Sequence, residues 1–238
     1  GGKLSGQFTV SQGSTLTISG DADKNLGPSA RVINEGTISW QGLGRILLDD
    51  STNSSTTAYL DNKAGGLFDI DSDAGLAQGY NSYYGVALEL TNDGTVRKSG
   101  QPGEAHLWQT TFNNNGLLNV LTGTLSFGRA LNNSGVAGVA SGAELRTTYG
   151  TSSGAFDVES GGLVRLTGNQ QYDSGTRFTG TGTVRLGGNI LGPLHGTNFV
   201  LATDDAVSGT FSLAGTLVWT GGKLSGQFTV SQGSTLTI

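Results

Sequence analysis

The chain has 238 residues, 41 of them Gly and none Cys or Met, with 18 acidic against 13 basic side chains and a net charge of −5. The lack of cysteine excludes disulfides and thiolate metal sites, and the acidic balance argues against nucleic acid and anionic membrane surfaces, which need basic patches. Charged residues supply only 13%, about half the usual share of roughly 25%, while 35% hydrophobic residues, set in alternating pairs, argue against a disordered tract.

Residues 1–18 read GGKLSGQFTVSQGSTLTI, and the pairs Phe8/Val10 and Leu16/Ile18 alternate as two short strands. The same eighteen residues return as 221–238, an offset of 220 residues. Residues 1–220 are therefore expected to form one repeat unit and 221–238 the start of the next. With no starting Met, the chain is expected to be an internal piece of something larger, and the echo points to a tandem array. Next comes Val32-Ile33-Asn34-Glu35-Gly36, an apolar-x-Asn-x-Gly motif followed by the alternating Ile38 and Trp40. The motif recurs loosely at Asn62 and again as Leu90-Thr91-Asn92-Asp93-Gly94, Phe112-Asn113-Asn114-Asn115-Gly116 and Leu131-Asn132-Asn133-Ser134-Gly135. In Phe178-Thr179-Gly180-Thr181-Gly182, Gly180 stands at the expected Asn position. Further strand pairs follow at Phe211/Leu213 and Leu217/Trp219.

Successive Asn residues lie 28, 30, 22 and 19 residues apart. Counting Asn133 to Gly180 as two units and Gly180 to the next Asn34 as three gives about nine coils of roughly 24 residues per period. This pattern predicts an all-β chain, a parallel β-helix (β-solenoid) that continues head to tail into the next 220-residue repeat. Alternation sends apolar residues inward, and Gly and Asn are expected at corners needing positive φ. Asn34, Asn62, Asn92, Asn114 and Asn133 should stack their amides as a ladder between coils. The rival fold is an antiparallel sandwich, which has no reason to repeat one corner residue. Residues 45–60 and 71–87 interrupt the rhythm and are expected as loops on one side of the coil.

The stretch FNNNGLLNVLTGTLSFGRALNNSGVAGVASGAELR, residues 112–146, resembles the stalk repeats of giant secreted bacterial surface proteins. These are adhesins of the filamentous-haemagglutinin and autotransporter-passenger kind. The resemblance runs from about residue 31 to 238 and is weakest over 71–110; it carries no residue-by-residue functional motif. It implies export to the cell surface and a part in adhesion, matrix or filament formation. The expected partners are adjacent copies of the same repeat, end to end, on the strength of the eighteen-residue echo, and a surface glycan at the Tyr80, Tyr83 and Tyr84 insertion. No stretch is apolar enough to span a bilayer.

Catalytic chemistry has little to stand on. The acidic residues are scattered, His106 and His195 have no recognisable partner, and His195 in Gly192-Pro193-Leu194-His195-Gly196 reads as a turn residue. Lys3, Lys63 and Lys98 read as polar turn residues. No enzyme is expected, and no cofactor beyond a candidate Ca²⁺. That candidate rests on Asp69, Asp71 and Asp73, alternate carboxylates followed by Gly75, as at the opening of a calcium loop. Position 80 is Tyr where the closing bidentate acid would stand, and the plainer reading is an outward polar row on a strand. Tyr80, Tyr83 and Tyr84 in a Gly-flanked insertion, with Trp108 one coil away, form a candidate glycan- or partner-binding patch. Trp40 and Trp219 fall in strand alternation and read as core.

Overall fold

A computed structural model describes residues 2–48, 57–78 and 86–238. The fold is an all-β parallel solenoid of about eleven turns. Every strand pairing among the described residues is parallel, which removes the antiparallel sandwich. One side of the coil is an eight-stranded sheet running from Thr15–Ile18 to Arg177–Gly180. The remaining sides form a single sheet of 20 strands. That sheet folds round a corner: Thr124–Asn133 pairs with two consecutive strands of the preceding coil, Glu104–Leu107 and Thr110–Asn114.

The period-two alternation explains the interior. In Thr37–Gln41 the side chains of Ile38 and Trp40 are buried, whereas Thr37 and Ser39 are only partly covered. Register then stacks like on like: Ile38, Phe68, Val96, Leu118, Ala137, Phe156 and Phe178 form one continuous apolar column. Within it, the Phe156 and Phe178 rings lie 4.8 Å apart. Each such buried side chain stabilises by about 1.5–3 kcal/mol, but only because the next coil covers it. Trp40 is fully buried and Trp219 packs partly against the core.

The Asn residues of the motif each end a strand, at Asn34, Asn62, Asn92, Asn114 and Asn133. All five are buried. The Nδ2 of Asn34 donates to Asn62 Oδ1 at 2.7 Å, Asn62 to Asn92 at 2.7 Å, Asn92 to Asn114 at 2.8 Å and Asn114 to Asn133 at 2.8 Å. Their second donor goes to a main-chain carbonyl of the next coil: Leu67, Thr95, Leu117, Val136 and, for Asn133, Ala155. The Asn carbonyls are used as well. Asn92 O accepts from the amides of Asn115 and Gly116, and Asn114 O from those of Ser134 and Gly135.

Three expectations change. First, the motif is not a positive-φ corner. Among the described non-Gly residues only Ser29 and Gln109 have positive φ, so the ladder Asn are ordinary strand residues. The motif's Gly is required by close approach instead. A Cβ on Gly116 would sit 2.3 Å from Gly94 O, on Gly135 2.1 Å from Gly116 O, and on Gly154 2.2 Å from Gly135 O. These glycines stack directly on one another, backbone to backbone.

Second, the count of nine coils is too low, and Gly180 is not a ladder position. Gly180 pairs with Val158 in the eight-stranded sheet. The ladder column instead passes from Asn133 to Ser152 and then Tyr172. The Ser152 hydroxyl donates to Asn133 O at 3.0 Å.

Third, the two interrupted regions are strand at their described ends: Ile46–Leu48, Thr57–Asn62 and Leu76–Gln78 are in register with their neighbours, and residues 49–56 and 79–85, the centres of the expected loops, lie outside the described residues. His195 likewise lies within the strand Gly188–Leu201, opposite Ala214, rather than in a turn.

The ladder and the Gly column make separable predictions. Replacing Asn114 by Ala removes the partners of Asn92 Nδ2, Asn133 Oδ1 and Val136 O. At roughly 1–3 kcal/mol for each buried group left unpaired, the loss should be about 3 kcal/mol or more. Gly116→Ala forces a methyl against a backbone oxygen and should cost about 1–3 kcal/mol. Asn115→Ala, whose exposed side chain bonds Asp93, should stay within about 0.5 kcal/mol. Urea unfolding of the three variants measures the ranking, which equal losses at positions 114 and 115 would refute.

Candidate functional site

The candidate residues fall on adjacent coils, over the strands Leu67–Asp71, Leu76–Gln78, Thr95–Lys98 and Glu104–Leu107. Asp69 projects from the outer face, where Arg97 of the next coil donates to it from both Nε and Nη2, at 2.9 and 2.7 Å. Ser99 adds a third hydrogen bond at 2.6 Å. Burial pushes the Asp69 carboxyl up, but the Arg97 and Ser99 hydrogen bonds outweigh it and hold the group below its usual range. Asp73 accepts from Lys98 Nζ at 2.9 Å and from the Gly103 amide at 2.9 Å. Asp71 has a buried Oδ1 without a hydrogen-bond partner, and this oxygen lies where a Cβ on Gly100 would be, 1.6 Å away. Each carboxylate thus faces its own neighbours. Among the described residues no group of three His, Cys, Asp or Glu is placed to hold a metal.

Lys98 corrects the sequence reading. It is a fully buried inward residue of the eight-stranded sheet, between Ile70 and Val120 in register. Its ammonium is satisfied by Asp73 and by Gln101 O at 2.6 Å. The pair staples the turn after one strand to the coil before it. A buried ammonium is tolerated only with such partners.

The second candidate surface is built around Trp108. The strand Glu104–Leu107 ends where Gln109 adopts φ 50°, and that sharp turn leaves the indole of Trp108 outside, 49% exposed. His106 packs beside it, ring centroids 5.0 Å apart. A cleft of about 370 Å³ runs between Trp108, His106, Glu104 and Asp73, with Gly75 and Leu76 on its far side. Leu76–Gln78 pairs with the strand that carries His106, so the chain entering the Tyr-rich insertion starts at this cleft. Tyr80, Tyr83 and Tyr84 themselves lie outside the described residues.

Sequence reading missed the partners of His106. Its Nδ1 is 2.5 Å from Ser126 Oγ, whose hydroxyl is 2.5 Å from Glu104 Oε1. The Ser126 hydroxyl thus bridges the His106 ring and the Glu104 carboxylate. Ser, His and Glu are the residue types of a hydrolytic triad, but their order is different. Here the carboxylate accepts directly from the hydroxyl and lies only 3.6 Å from the same imidazole nitrogen, unlike a triad in which it binds the far side of the ring, and Ser126 is buried. The relay holds the His106 ring against Trp108. The signal was present only as register: His106 stands opposite Ser126 in the next coil.

Elsewhere on the exterior, ion pairs join neighbouring coils. Arg165 pairs with Glu144 and Arg185 with Asp205, each at 2.7 Å. An outer polar row runs Glu89, Asn113, Asn132, Thr151, joined by side-chain hydrogen bonds. No family model, curated protein or solved structure matches this chain.

Asp69 yields a pH prediction. Its folded-state pKa is lowered, so its contribution to stability is complete above the unfolded value of about 4. That contribution fades as pH falls through the lower folded value. Asp69→Asn should therefore weaken the protein near neutrality and flatten the acid limb of the urea midpoint measured from pH 6 to 2. An unchanged acid limb would refute the assignment.

Proposed function

We propose that this chain is a structural tandem-repeat unit of a long extracellular bacterial fibre, stalk or adhesin, and that its role is mechanical rather than catalytic. One observation carries the reading. The eighteen residues at each end form corresponding strands: Lys3–Leu4, Gln7–Val10 and Thr15–Ile18 return as Lys223–Leu224, Gln227–Val230 and Thr235–Thr237, the third lying in the eight-stranded sheet at the start and in the 20-stranded sheet at the end. A solenoid whose last coil is its first coil can be extended without a new kind of contact. The stacked amide ladder and the glycine column suit such a rod, because each coil is bonded to both neighbours along the axis. The bacterial surface assignment rests on the resemblance of residues 112–146 to adhesin stalks. An antibody to this unit, used on an undigested surface extract, should detect a polypeptide of several hundred kilodaltons. A band near 24.3 kDa would remove the covalent array.

A second reading is favoured by Trp108. A half-exposed indole beside His106 and two carboxylates offers the flat face and polar rim that sugars stack on. In this reading the unit also binds a surface glycan at the cleft beside Trp108. Trp108→Ala should then abolish retention on a glycan array while leaving the far-UV spectrum unchanged. Equal retention by the variant and the parent would dismiss this role.

A further inference from the structure

The two copies of the eighteen residues are covered from opposite sides. In the first copy the main-chain carbonyls of Leu4, Gly6 and Val10 accept from Gly27, Arg31 and Glu35 of the following coil. In the last copy the amides of Lys223, Ser225 and Ser231 donate to Asp205, Val207 and Leu213 of the preceding coil. Side chains divide in the same way. Val10 is buried (4%) and Phe8 exposed (36%), whereas Val230 is exposed (41%) and Phe228 packs on Phe211 with ring centroids 4.8 Å apart. The first copy also leaves a largely apolar cavity of about 430 Å³ at its end of the solenoid, lined by Leu4, Leu16, Ile18 and Leu26 among others. What is open at residues 3–18 is what Ala206–Trp219 covers at residues 223–237.

Resting on the array reading, we propose that the open face of residues 3–18 is the seat of the segment 206–219 of a preceding copy of this repeat. The register is that already seen within the chain: Thr210 to Leu213 of one copy against Gln7 to Val10 of the next. Phe211 stacks on Phe8, and the coil between two repeats is bonded on both edges. This follows from identity of sequence. The strand Ala206–Trp219 pairs in parallel with Lys223–Leu224, Gln227–Val230 and Thr235–Thr237, and residues 3–18 present the same side chains and the same main-chain donors.

The test extends the 238-residue chain by one repeat at its beginning, so that residues 1–18 become a joint. The chain has no cysteine, so a single engineered pair reports alone. Ser212 faces Thr229 in register. Ser212→Cys in the added repeat and Thr9→Cys in the original should therefore form one disulfide under mild oxidation. Independently, Phe8→Ala should barely move the urea midpoint of the 238-residue chain. In the extended chain it should lower the midpoint by about 1 M or more, since there it empties a packed core site. Free thiols after oxidation, or an equal effect of Phe8→Ala in both chains, would overturn the joint. A native polypeptide of one unit's mass would instead sink the array while leaving the cross-link intact, so the two failures are distinguishable.

Discussion

Everything in this solenoid depends on how closely one coil's backbone can approach the next. Parallel strands must come within hydrogen-bond distance along the whole circumference, corners included. At the ladder corner there is no space for a Cβ, because Gly94, Gly116, Gly135 and Gly154 lie backbone on backbone. The chain turns there with buried main-chain groups that water cannot reach. A side chain with two donors and an acceptor on a short stem is what that corner needs, and Asn supplies it. Asn and Gly are therefore parts of one device: the glycine permits the approach, and the amide serves the carbonyls that the approach buries.

The ladder is polar along the axis. Every ladder Nδ2 points toward later coils, so the Oδ1 of each Asn after Asn34 is answered by the coil before it. Asn34 stands opposite Val10 in the preceding coil, and its Oδ1 is buried without a hydrogen-bond partner. At the other end, Asn133 donates to Ala155 O, and Ser152 with its hydroxyl takes over the column before Tyr172 fills it. As the amides run out, aromatic packing replaces them: Tyr172, Phe178 and Phe199 meet edge to face at 5.4 and 5.1 Å. The column thus changes chemistry along the axis, from amides to aromatic rings.

That change sets the limits of what could be read in the sequence. Where Asn recurs with Gly two residues later, the coil could be counted by eye, and Asn34 to Asn133 mark real turns. Beyond Asn133 the same column holds Ser152 and Tyr172, which carry no period. A Gly-rich stretch around Gly180 imitated the motif while lying in another sheet. Lys98 was misread for a related reason. Lysine in a polar context suggests solvent, and nothing near it in the chain announces that Asp73, on the previous coil, is waiting to pair with it. The same holds for Asp69 with Arg97 and for His106 with Ser126. In this solenoid the neighbours that decide a side chain's role lie one coil away, at distances as different as 17 and 31 residues. Alternation fixes which way a side chain points but not what it meets.

The coil shared by the two chain ends differs in kind from those at the middle. Its ladder position is Val10, or Val230 in the second copy, so no amide chain passes through it. It is held by main-chain bonds and by apolar contacts such as Phe228 on Phe211. Stability in a stacked array is approximately a sum of coil and nearest-neighbour terms, and at this joint the terms are main-chain bonds, the Ser225 and Ser234 hydroxyl bonds and apolar burial. The amide ladder adds a continuous chain of buried side-chain hydrogen bonds to the same main-chain and apolar terms, so Asn34 to Asn133 should move as one cooperative block. A rod built from such units would alternate ladder segments with joints that lack the amide chain, and the joint, with fewer buried side-chain hydrogen bonds across it, is where it would yield first under load.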